Sequence, residues 1–226
     1  MTATGAVLAL DVDVRREEVT RYLGYPDRKP VAARAAERLA ALWPAAVARL
    51  APHGAFAVVA RGQAADAGMP EPAHDVGVGV CTIGPALEAE SQRLAAAGHV
   101  LDALVLDAIG SAAAEAAADA LNLELCAVAA VRGLEAGPRV SPGYGEWPTA
   151  CQAALLALLP IAALGITLTP GSMMVPRKSV SFAVNLDRPG AAPRHAASRC
   201  ERCGLLRCRH RLAAPGPTSP GASTAP

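Results

Sequence analysis

Short apolar runs at AVLALDVDV (6–14), GAFAVVARG (54–62), VGVGVCTIG (76–84) and LELCAVAAVRG (123–133), and the alternation of small polar and apolar residues along SVSFAVNL (179–186), each predict a strand. Between them the spacing changes to that of helices. RREEVTRYLGY (15–25) carries charged and apolar residues at helical intervals. VAARAAERLAALWPAAVARLA (31–51) is a long Ala/Leu helix expected to break near Pro44. PALEAESQRLAAAG (85–98), the stretch 101–121 and TACQAALLALLPIAALGI (149–166) follow, the last expected to be one buried helix stopping near Gly165. Long helices mixed with short strands predict α/β or α+β packing.

Composition sharpens this picture. With 226 residues, 52% hydrophobic and only 18% charged, the chain has ample material for a core. Aromatic residues make up only 3%, so that core must be built from Ala, Leu and Val, and each Tyr or Trp becomes a candidate contact group. A net charge of +1 gives no global reason to expect nucleic acid or an anionic membrane as a partner. No stretch reads as a signal peptide or a spanning helix, so a soluble cytoplasmic protein is expected.

The candidate chemistry concentrates in RVSPGYGEWP (139–148). Pro142, Gly143, Gly145 and Pro148 force a chain reversal, and Arg139, Tyr144, Glu146 and Trp147 supply groups a mere connector does not need. Arg139 offers a planar, permanently charged fork suited to a carboxylate, and Tyr144 a ring for stacking. Glycine backbone permits close approach, so a small zwitterion with a flat end fits such a loop. In the stretch 101–121, Gly110, Ser111 and Ala112 to Ala114 form a small-residue side, with Glu115 among them as a carboxylate that needs a partner if buried; Asp102 and Asp107 are weaker candidates. The alternating glycines of VGVGV give neither GxGxxG nor a P-loop lysine and are read as close packing in a strand, with Cys81 as a small buried hydrophobe. In TPGSMMVPRK (169–178), Met173 and Met174 are read as packing residues, and Arg177 and Lys178 as a solvated turn or as contacts for an acidic partner.

Composition shifts again after residue 187. Residues 188–199 read as a linker and 212–226 as a disordered tail lacking bulky apolar side chains, with CERCGLLRCRHR (200–211) between them. Cys200, Cys203 and Cys208 have C-x2-C-x4-C spacing, suited to a zinc ion or an iron–sulfur cluster, with His210, Cys151 or an external group as a fourth ligand. The surrounding arginines would lower thiolate pKa values and attract an acidic electron carrier.

RVSPGYGEWP, the following helical run with Gln152, GITLTPGSMMVPRKSVS (165–181), LDAIGSAAAEAAADAL (106–121) and RYLGY (21–25) together resemble the S-adenosylmethionine-binding activation domain of cobalamin-dependent methionine synthase, in its stand-alone short form. The likeness runs in order over about residues 7–185. It implies an α+β single domain, residues 1–187, with a mixed or antiparallel twisted sheet flanked by long helices. It also implies a part in methyl transfer: S-adenosylmethionine remethylates cob(II)alamin reductively, in trans, on a separate corrinoid-binding protein or methionine synthase core. The electron would come from a low-potential donor such as flavodoxin or ferredoxin. By the same resemblance Glu115, Arg139, Pro142, Gly143 and Tyr144 contact S-adenosylmethionine; for Arg177 and Lys178 the phosphate or propionamide groups of a corrinoid stand as a third reading beside the acidic partner and the solvated turn. The long synthase continues beyond this point with structure that adds an aromatic ligand contact, where this chain has its cysteine segment. Two other classes stay open: a metal or iron–sulfur electron-transfer module serving a corrinoid protein, and a non-catalytic module that docks on one.

Overall fold

The computed structural model describes residues 6–25 and 30–189. Its centre is a five-stranded, wholly antiparallel sheet. In chain order the elements are β1 (Leu8–Ala9), α1 (Arg16–Tyr22), α2 (Ala33–Val47), β2 (His53–Ala60), α3 (Arg61–Asp66), β3 (Asp75–Thr82), α4 (Ala86–Ala96), α5 (Val100–Val131), β4 (Glu135–Ala136), α6 (Gln152–Leu156), β5 (Thr167–Leu168), β6 (Met174–Val175) and β7 (Ser179–Asp187). Strand order across the sheet is β1-β2-β3-β7-β4, and β5 and β6 form a separate hairpin. The α+β reading and the antiparallel sheet are therefore realised.

β2, β3 and β7 form the full-length ladders, with His53 opposite Thr82 and Asp75 opposite Leu186. β3 is buried from Val76 to Thr82 because it is covered on both faces. On one face lies α5, whose 32 residues span about 48 Å at the usual rise per residue. Its alanines let it lie close to the sheet, and glycines on the strands admit its larger side chains. A Cβ on Gly77 would stand 2.5 Å from Leu125 Cδ1 of α5, and one on Gly79 would stand 2.7 Å from Cζ of Phe182, its cross-strand partner on β7. The VGVGV glycines are thus packing residues, and Cys81 is fully buried. On the other face the sheet is covered by Trp147, Leu155, Leu156, Leu159, Leu164 and Ile166, which come from loops and short helical turns.

Four expectations need correction. LELCAVAAVRG is no strand: α5 continues to Val131, because Leu121, Leu125 and Ala129, four residues apart, all land on the buried side, and that helical period overrides the strand-like look of a short apolar run. Gly133, at φ +69°, follows the helix end. α2 does not break at Pro44 but runs on to Val47. Residues 149–166 are not one helix; α6 stops at Leu156, Pro160 precedes a separate 3-10 turn at Ile161–Leu164, and Gly165 ends that turn in a left-handed conformation, φ +65°. Trp147 is no recognition group, for it is fully buried and its indole N–H donates to the Ala67 carbonyl at 3.1 Å. Cys200, Cys203 and Cys208, the tail and nearly all of the linker lie outside the described residues.

Candidate functional site

The loop 139–148 is anchored at both ends and free at its tip. At its start Val140 exchanges two 2.8 Å backbone hydrogen bonds with Ala183 of β7. The Ser141 hydroxyl donates to the Ser181 carbonyl at 2.8 Å, and the buried Gln152 amide donates to the Ser181 hydroxyl at 2.7 Å. At its end Trp147 is sunk in the core. Between these anchors Pro142 is buried, Gly143 turns the chain at φ +93° and donates its N–H to the Trp147 carbonyl at 2.7 Å, and Tyr144 stands 69% exposed. A β-branched or bulky residue at Gly143 would be strained, and even a Cβ would lie 3.0 Å from Thr149 Oγ1.

This anchoring carries Arg139 over β7 and against α5. Its side chain is 9% exposed, its guanidinium carbon sits 5.4 Å from the centre of the Phe182 ring, and Nη2 lies 3.6 Å from Glu115 Oε2 and 2.5 Å from Asp119 Oδ1. Arg139 and Glu115, twenty-four residues apart, are thus brought together. Asp119 joins them without having been singled out by sequence reasoning; the usable signal was its place one helical turn after Glu115, on the same face. The thiol of Cys81 is pushed up to about 12 by burial above all, with Arg139 acting against the shift and Glu115 and Asp119 adding to it.

The other acidic candidates on α5 have structural partners. Asp102 makes a two-pronged pair with Arg38 of α2, at 2.6 and 2.7 Å, and that guanidinium holds its carboxyl below the usual range. Asp107 Oδ1 lies 2.7 Å from Lys178 Nζ, which also donates to the Ser111 hydroxyl at 2.8 Å. Asp107, Ser111, Glu115 and Asp119 therefore form a stripe at four-residue intervals along α5, with Lys178 at one end and Arg139 at the other. Arg177 is exposed and turned to Glu88; Met173, expected to pack, is instead exposed on its turn, and only Met174 of the pair packs against the loop-side core. Among the described residues no group of three His, Cys, Asp or Glu side chains is placed to hold a metal ion, and no helix is long and apolar enough to cross a membrane.

No family model matches this chain, and no curated protein matches it. Among solved structures, the crystal structure of the MetH reactivation domain bound to AdoHcy matches with a TM-score of 0.58. The match covers 85% of this chain and 81% of that one, at 18% sequence identity. The chain therefore has the fold of a methionine synthase reactivation domain.

Proposed function

We propose that this domain serves as the activation component for a cobalamin-dependent methionine synthase or a related corrinoid methyltransferase, binding S-adenosylmethionine as methyl donor. The corrinoid is presented by a separate protein and, once reduced by a low-potential electron donor such as flavodoxin or ferredoxin, supplies the nucleophile that accepts the methyl. One observation carries the reading: the chain shares its fold with a domain solved with AdoHcy bound, and in that fold its glycine-rich loop lays a charged fork on an acidic helix face.

A sulfonium methyl already has an activated leaving group, so the residues of this domain need supply no general acid or base. Their work is placement. Arg139 grips the methionine carboxylate, Glu115 meets the ligand's ammonium, and Gly143 leaves room for the ligand beside the backbone. Tyr144, exposed at the loop tip, offers its ring to the flat adenine end or to the incoming corrinoid.

Titration calorimetry with S-adenosylmethionine tests this. The parent protein should bind, and Arg139→Gln should lose at least about tenfold in affinity, the cost of removing a charge-assisted pair. Circular dichroism of the variant would show that the fold survives. A parent that gives no binding heat, and no competition with S-adenosylhomocysteine, would end the methyl-donor reading. Cys200, Cys203 and Cys208 we assign to a zinc or iron–sulfur centre on the electron-donor side, which metal analysis and visible absorbance of the full chain would detect.

A further inference from the structure

The guanidinium of Arg139 is already held by two carboxylates, and the two are held differently. Glu115 is half-buried on the small-residue face of α5, 3.6 Å away, whereas Asp119 makes the closer contact, 2.5 Å, yet its side chain is 64% exposed. Both carboxylates meet the same nitrogen, Nη2, and a third anion brought to that nitrogen is repelled by the two already there. A ligand carboxylate can take Nη2 only if one of the two leaves, and the exposed one leaves at lower cost because water replaces its partner. Rotation of the Asp119 side chain into solvent opens the place, while the guanidinium stays fixed on the Phe182 ring.

We propose that Asp119 is an internal stand-in for the ligand carboxylate, a latch that closes the Arg139 fork when no ligand is present and sets the affinity by competing for it. This rests on the reading of Arg139 as the carboxylate grip. It makes Asp119 a specificity-determining residue: only a ligand bearing its own carboxylate is repaid for displacing the latch, so S-adenosyl compounds lacking that group are disfavoured. It also keeps the guanidinium neutralised in the empty domain, where it would otherwise attract unrelated anions.

The test is calorimetry of the parent, Asp119→Asn and Asp119→Ala with S-adenosylmethionine and with its decarboxylated analogue. Both variants should bind S-adenosylmethionine about three- to tenfold more tightly, the range expected for losing one largely exposed ion pair, with no gain for the decarboxylated compound. If the parent binds and the variants bind equally or more weakly, Asp119 is no competitor and the latch is wrong while the proposed function stands. A gain of the same size on the decarboxylated analogue also removes the latch, because it would reflect general charge and not competition for the fork. Absence of binding by all three proteins would overturn both the latch and the methyl-donor reading beneath it.

Discussion

The two faces of the central sheet are covered in opposite ways. On one, a single uninterrupted helix supplies the lid: α5 lies across β2, β3 and β7 with buried residues from Ala103 to Ala129, its alanines close to the sheet and its Leu121 and Leu125 seated on the strand glycines Gly54 and Gly77. On the other, the cover is assembled from Trp147, α6, a 3-10 turn and the β5–β6 hairpin, with Trp147 as its largest side chain. The difference teaches why the candidate site sits where it does. A rigid helix can hold Glu115 and Asp119 at fixed spacing, and a loop can carry Arg139 toward them, but only if the loop is nailed down behind. Trp147 is that nail, so the loop-side core and the binding geometry are one construction.

The strongest blow to this comparison falls on the loop side. Trp147→Ala empties a fully buried indole site and removes its hydrogen bond to Ala67, and it should cost about 3–5 kcal/mol in urea denaturation. Because the indole anchors residues 139–148, the same variant should also weaken the proposed S-adenosylmethionine binding even where it remains folded. A cost below about 1 kcal/mol would mean that the loop layer is not held by packing and that Trp147 does not fix the loop.

The sequence shows the helix side more readily than the loop side, for a physical reason. Period-two strands and Ala/Leu helices announce themselves wherever one face is buried, so β2, β3, β7, α4 and most of α5 are visible in the pattern. The pattern misleads at LELCAVAAVRG, where a short apolar run that reads as a strand sits on a helix whose buried positions are four apart. It misleads again over 149–166, where apolar residues needed to plug irregular turns look like one continuous helix. At the site, Arg139 and Glu115 are legible from residue chemistry and resemblance, and they meet. Asp119 stays hidden because an exposed aspartate on an alanine helix looks like any solvated one. Trp147 stays hidden because an aromatic in a Pro/Gly loop reads equally well as a contact or as a plug.

A finer cut separates what α5 does for the sheet from what it does for the polar stripe. Gly110 interrupts a helix whose interior favours alanine by about 1 kcal/mol, and the reason lies above it: a Cβ there would stand 3.2 Å from Lys178 Cε and 3.3 Å from Cγ. The lysine stem cannot easily yield, because Nζ is fastened to Asp107 and Ser111. Gly110→Ala should therefore be near neutral in the parent and stabilising by about 1 kcal/mol in a Lys178→Ala background, read as the coupling in a double-mutant cycle. Equal effects in both backgrounds would detach Lys178 from the packing of α5.

The smallest predicted signal concerns how dry the helix side is. Cys81 lies under α5 and beneath the Arg139 cluster, where burial raises its thiol to about 12, against about 8.5 for a thiol in water. A folded pKa above the unfolded one means that the unfolded chain gives up the proton first as pH rises. The stability tied to the neutral thiol is thus complete below about pH 8.5 and falls progressively as pH climbs toward the folded value. Cys81→Ala shifts the whole curve by its packing loss, but it should flatten the decline between about pH 9 and 11, by at most about 1.4 kcal/mol per pH unit, the limit for one proton. Urea midpoints of the two proteins across that range give the slope difference directly. Parallel curves would show that water reaches the thiol, so that the helix side, for all its regular packing, is no drier than the loop layer opposite.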